Sequence, residues 1–107
     1  MIKYKMVEII DLSSIKLGSF DWDKGNLNKN WKKHKVHFKE SEEIFFNKPL
    51  KIFGDPKHSK VEQRYVSYGK TNGKRLLAIV FTYRDNKIRI ISARDQNRKE
   101  KNIYVKK

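Results

Sequence analysis

The sequence predicts an α+β domain: an antiparallel sheet of about four strands, two helices packed on one face of it, and a short C-terminal helix. Three observations carry this expectation. Apolar residues recur at helical spacing between residues 23 and 47, and the period changes to two from residue 50. Two turn signals, Asn72-Gly73 and Asp85-Asn86, then divide the second half into strands that must run antiparallel.

Residues 1–19 read as an N-terminal arm or extra strand, with Ile2, Tyr4 and Met6 alternating with Lys3 and Lys5, and residues 20–107 as a single domain. Asp23 is a plausible N-cap for a first helix, in which Leu27, Trp31 and His34 fall on one stripe. Asn26, Asn28 and Asn30 are poor helix formers, so burial of Trp31 is expected to supply most of that helix's stability. In the second helix Phe38, Ser41 and Phe45 share a face with Ile44, while Glu40, Glu42 and Glu43 favour the early turns. Asn47 and Pro49 end it. LKIFG from Leu50 is a short strand, DPKHSK a loop, and RYVSYGKT a strand closed by Asn72-Gly73. RLLAIVFTYR is almost continuously apolar, as expected of a strand buried on both faces, and Asp85-Asn86 turns it into KIRIISAR. RKEKNIYVKK can form the last helix, with Ile103 and Tyr104 packed down.

Composition narrows the function. The 107 residues hold 26 Lys or Arg against 12 Asp or Glu, a formal charge of +14, which points to a polyanionic partner. All six arginines lie in the second half. There is no cysteine, which excludes disulfide scaffolds and thiol nucleophiles. The longest apolar run, Leu76 to Phe81, falls far short of the ~20 residues that cross a bilayer. A soluble, cytoplasmic protein is expected.

Several side chains invite chemistry. Gly69-Lys70-Thr71 suggests a phosphate loop, but Arg64 stands where the motif needs its first glycine, and a hairpin is the better reading. His34 and His37 have no clear third ligand beside them, so no metal or other cofactor is expected. Glu40 and Glu43 are better explained by the helix dipole than as paired catalytic acids. Glu62 is either a salt-bridge partner or a general base. The arginines are the sharpest feature. Arg64, Arg75, Arg84, Arg89, Arg94 and Arg98 begin, end or interrupt the strands, and Arg89 stands between Ile88 and Ile90 in what is expected to be an inner strand. Such a cation either pairs with an acid or faces a ligand, and its fork suits phosphate. Arg75 and Arg84 adjoin turns and are expected to be solvated. Tyr65, Tyr68 and Tyr83 lie among these strands, where they can pack in a core or stack on bases.

The motifs also stand in a recognisable order: Phe20-Asp21-Trp22-Asp23, Asn30 through Lys33-His34 to Val36-His37-Phe38, then Glu43 and Phe46, Asp55-Pro56-Lys57-His58-Ser59, Glu62-Gln63-Arg64, and Arg89-Ile90-Ile91-Ser92-Ala93-Arg94, with Arg98-Lys99-Glu100 and Tyr104 after them. In this the chain resembles the BrnT family of type II toxins, ribonucleases with a RelE-like fold. The resemblance implies an RNA endonuclease, held in a hetero-oligomer by a cognate DNA-binding antitoxin, and a metal-free mechanism in which cations stabilise a phosphorane and side chains move protons. Arg64, Arg89 and Arg94 are the candidate cations. Glu62, His34 and His58 are the candidates for proton transfer, although His34 can equally close the first helix as a packed C-terminal cation. Lys33, His58, Tyr65, Tyr68 and Arg84 are candidate RNA contacts. Lys35 replaces the usual glycine after Lys33-His34, Asp95-Gln96 replaces small residues after the last motif, and the arm is longer than expected. Two other functions fit the charge: a non-catalytic nucleic-acid binder, and a protein-interaction module docking an acidic partner.

Overall fold

A computed structural model describes residues 20–55 and 62–106; the expected N-terminal arm and His58 lie outside the described residues. The first helical region is two short pieces. Asp23 caps α1 (Lys24–Leu27), its carboxylate accepting from the Gly25 and Asn26 N–H groups, and Asn26 returns the bond to the Asp23 N–H in a capping box. After Asn28 the chain resumes as α2 (Lys29–His34). Lys35 closes α2 in the left-handed conformation, φ 57°, with its N–H bonded to the Trp31 carbonyl and the Val36 N–H bonded to that of Asn30. A lysine here adopts the left-handed geometry that glycine most often supplies at a helix end.

The third helix, α3 (Phe38–Glu43), is shorter than expected and continues as turns. His37 and Glu40 form its capping box. Four strands follow: β1 (Lys51–Gly54), β2 (Arg64–Lys70), β3 (Leu76–Arg84) and β4 (Lys87–Asp95), in the antiparallel order β1-β2-β3-β4. The last helix, α4 (Arg98–Val105), starts directly after Asp95-Gln96, capped by Asn97, whose side chain accepts from the Glu100 N–H. At β3–β4 both Asp85 and Asn86 have positive φ, 54° and 62°, which gives the tight turn that a twisted hairpin favours. The β2–β3 connection is longer than two residues. A Thr71–Lys74 turn ends on Lys74 in the left-handed region, φ 69°, so the positive φ falls on a lysine.

One sheet face packs on the N-terminal helices. Tyr65, Leu77, Ile79, Phe81, Ile88, Ile90 and Ala93 form this core with Phe20, Val36, Ile44 and Phe45. Gly69 allows the closest approach, since a Cβ there would come 2.9 Å from the Ile44 Cβ. The opposite face carries a smaller cluster in which Phe53, Val66, Tyr68 and Ala78 receive Tyr104 of α4. The C-terminal helix therefore sits across the sheet from the other three.

Two sequence expectations fail, one on β4 and one on the first helical region. Among the described residues β4 is the last strand of the sheet, with its far side met by the Phe20–Ile88 bridge and by the Asp21 N–H, which bonds the Ile88 carbonyl at 2.8 Å. And Trp31 is 48% exposed; the buried stripe of the first helical region is Asn26 and Asn30. Their amides serve the edge of β4. Asn26 Nδ2 donates to the Ile90 carbonyl at 3.2 Å, and Asn30 Oδ1 accepts the Ala93 N–H at 3.1 Å. Between those positions β4 carries an irregularity: Phe81 pairs with Ile90 but Val80 with Ser92, leaving Ile91 as the extra residue. The asparagines thus satisfy backbone groups that an edge strand would leave open.

If this anchoring holds the helices to the sheet, Asn30→Ala leaves the Ala93 N–H buried without a partner and costs about 1–3 kcal/mol, whereas Trp31→Ala costs less than about 0.5 kcal/mol. Urea unfolding of the two variants checks the order. A larger loss for Trp31→Ala would restore the tryptophan-burial account.

Candidate active site

The sheet face opposite the core collects the three candidate cations. Arg64 on β2 and Arg89 on β4 both pair in register with Thr82 on β3, and Arg94 pairs with Ala78, so all three lie on the α4 side. Flanking one β3 residue on two sides separates the Arg64 and Arg89 backbones by about 10 Å, a span that side chains can close on one bound group. The Thr82 hydroxyl between them donates to the Gln63 carbonyl at 2.8 Å and steadies the start of β2.

Two depressions meet on this face. One, of about 270 Å³, is lined by Asp55, Arg64, Tyr68, Ser92, Arg94 and Glu100 among others. The second, of about 280 Å³, is lined by Lys29, Glu62, Arg64, Arg89 and their neighbours. Arg64 and the bulged Ile91 line both. The bulge thus sits where the two depressions join.

Carboxylates position the guanidinium forks. Arg89 Nη2 lies 2.6 Å from Asp23 Oδ2, and Nη1 lies 3.5 Å from Asp21. The Arg89 bond and the backbone N–H groups of the N-cap hold Asp23 below the usual carboxylate range, and the same pair raises Arg89. Arg94 makes a two-pronged pair with Glu100, at 2.6 and 2.8 Å. Burial works to raise the Glu100 carboxyl, but Arg94 and the Asn97 N–H more than offset it and hold it low. Glu62 contacts Arg84 at 3.8 Å, in a half-exposed pair, rather than forming a buried bridge with an inner arginine.

The other sequence candidates divide. Tyr68 lines the first depression and packs on Phe53 with centroids 5.4 Å apart. Tyr65 is buried in the opposite, helix-side core against Phe81, and Tyr83 packs on that same core, so neither faces the arginines. Lys33 is exposed on α2. His34 ends α2, its carbonyl accepting from Arg75 at 3.3 Å, and is not among the residues lining either depression. Two charged lining residues were not among the sequence candidates for the site. Asp55 is a buried acid following β1, whose N–H bonds the Arg64 carbonyl at 2.9 Å; Lys29 donates to the Ile91 carbonyl at 3.2 Å. Lys29 lies three residues beyond Asn26, one turn along the same helical stripe, and that spacing is the signal that could have found it. Among the described residues no three His, Asp or Glu side chains gather as a metal-binding set.

Arg75 is not the solvated turn charge that its sequence position suggested. Its guanidinium grips Asp95 at 2.6 and 3.1 Å, Glu40 at 3.2 Å, and the carbonyls of Lys35 and His34. It ties α2, α3 and β4 together away from the depressions. The Arg75 hydrogen bond, working against burial, holds the Asp95 carboxyl below its ordinary range. A lowered native value means that the stabilisation is complete above the unfolded carboxylate range, near pH 4, and disappears as pH falls through the native value. Arg75→Met therefore lowers the melting temperature most at neutral pH, and its gap from the parent narrows below about pH 4. A gap as wide at pH 2.5 as at pH 7 would contradict the pairing.

No helix among the described residues is long and apolar enough to cross a membrane. None of the curated proteins compared matches the chain. The family model for the ribonuclease toxin BrnT of type II toxin-antitoxin systems matches residues 22–100. That span begins before Asp23, ends at Glu100, and so takes in all three arginines with the acids that hold Arg89 and Arg94 most closely. A match over so much of the chain places it in the BrnT family: this is an endoribonuclease toxin of a type II toxin-antitoxin system, with RNA as its target and an antitoxin as its partner.

Proposed function

We propose that the arginine face is the RNA-cleaving site and that it works without a metal ion. The observation that carries this reading is the convergence of Arg64, Arg89 and Arg94 on one face, around two depressions that share Arg64. Cleavage by this route begins when a base takes the proton of a ribose 2′-hydroxyl and the 2′-oxygen attacks the adjacent phosphorus. The P–O5′ bond breaks, an acid delivers a proton to the 5′-oxygen, and the products are a 2′,3′-cyclic phosphate and a 5′-hydroxyl. Guanidinium forks held in place by carboxylates need little rearrangement to meet the phosphorane charge. Of the proton-transfer candidates, Glu62 has the best support, since it lines the same depression as Arg64 and Arg89, whereas His34 lines neither depression.

The biological reading follows from this chemistry. RNA loss in the cytoplasm stops translation and growth, and a cognate DNA-binding antitoxin neutralises the toxin in a hetero-oligomer by covering the cationic face with acidic and apolar side chains. A merely binding module with the same charge would retain RNA without cutting it.

Purified protein incubated with RNA in EDTA is expected to give fragments. Arg64→Lys and Arg89→Lys keep the charge but lose the fork, so each slows cleavage by about 2–4 kcal/mol in the barrier, the scale of one oxyanion donor. Rates at fixed salt, with thermal unfolding of each variant alongside, make the measurement. Cleavage at the parent rate by both variants would contradict the assignment. Slow cleavage accompanied by a large fall in melting temperature would instead make the Arg89 pairs structural.

A further inference from the structure

The charge of the second depression is unevenly committed. Arg89 is occupied by Asp23 and Asp21, and Glu62, on the same wall, is engaged with Arg84. Lys29 differs. Its ammonium meets the neutral Ile91 carbonyl at 3.2 Å and, among the described residues, no carboxylate. An ammonium carries three donors, so one bond to a carbonyl leaves two for another acceptor. The carbonyl it uses belongs to the bulged residue of β4, where the extra residue interrupts regular pairing with β3. The helix side is equally fixed, because Asn26 and Asn30, on either side of Lys29 in sequence, are bonded to the same stretch of β4. The result is a lysine that no carboxylate among the described residues neutralises, seated in the second depression with Arg64 and Arg89 and bonded to Ile91, which lines both depressions.

We infer that Lys29 is a phosphate-binding residue for the RNA strand, contacting a backbone phosphate in the depression it shares with Arg64 and Arg89. This rests on the arginine face being the RNA site. The acid-paired arginines supply geometry, and Lys29 supplies net positive charge that a polyanionic strand does not have to win from a carboxylate. Its contact is made with substrate and transition state alike, so losing it raises KM more than it lowers kcat.

The test uses the full chain and an uncleavable 2′-O-methyl RNA oligonucleotide, whose affinity is measured against salt concentration. Lys29→Met is expected to weaken binding roughly tenfold and to reduce the slope of log affinity against log salt by about 0.7, the loss of one phosphate contact on a single strand. Lys29→Gln keeps a donor for the Ile91 carbonyl without the charge and is expected to behave like Lys29→Met. Lys32→Met removes a lysine from the same helix outside both depressions and is expected to bind within about twofold of the parent. With cleavable RNA the Lys29 variants should raise KM at nearly unchanged kcat. Parent-like slope and affinity in Lys29→Met overturn the inference, as does parent-like binding by Lys29→Gln, which would make the lysine a support for the bulge alone. A Lys29-dependent slope in a protein that does not cut RNA would leave the contact standing and defeat the cleavage reading instead.

Discussion

The backbone of β4 between Ile90 and Ala93 is the constraint on which the rest of the molecule depends. A strand at the end of a sheet presents open donors and acceptors, and this one also carries a bulge. Asn26 of α1 and Asn30 of α2 answer both difficulties, reaching the same stretch of β4 from either side of the Asn28 break. The cost of placing weak helix formers in a first helix is offset where each amide closes a buried backbone bond. That docking fixes the register of β4 against β3. Register in turn decides which side chains face which way, because a slip of one residue would turn Arg89 and Arg94 into the apolar core.

The arrangement also explains how a chain of +14 keeps its arginines ordered. Arginine forks crowded on one face repel each other unless carboxylates sit between them, and Asp23, Asp21 and Glu100 fill that role for Arg89 and Arg94. The same acids oppose RNA binding, so affinity must come from cations that no acid neutralises. Holding forks in place and attracting the strand are therefore separate tasks, and different residues can perform them. The acids come from the N-terminal segment and from α4, on opposite ends of the described chain, which makes the order of the site a property of the whole fold.

Local signals were readable wherever a short stretch sufficed. The Asp23 cap, the Asp85-Asn86 turn with both residues left-handed, the apolar β3 and the four-strand order each follow from neighbouring residues. Strand alternation alone would put Arg89 and Arg94, five residues apart, on opposite faces, and the extra residue Ile91 is what brings them to the same one. What was not legible depended on distant partners. Asn26 and Asn30 read as poor helix formers because propensity takes no account of a strand more than sixty residues away. Arg75 read as a solvated turn charge, yet its acids stand 20 and 35 positions off. Trp31 read as core because its size suggested it, while its ring lies outside under the Lys35 ammonium, 5.4 Å from the centroid. Tyr65 and Tyr68 looked equivalent, but an odd spacing in a strand puts them on opposite faces.

The central claim is that side-chain amides close the edge of β4 and thereby hold the arginine face in register. Hydrogen exchange at the Ala93 amide tests it most directly. In the parent this amide is expected to exchange as slowly as the Ile79 and Phe81 amides of the inner strand, and in Asn30→Ala it should open selectively while those two remain protected. Rapid exchange of Ala93 in the parent, or protection unchanged by Asn30→Ala, would contradict the account.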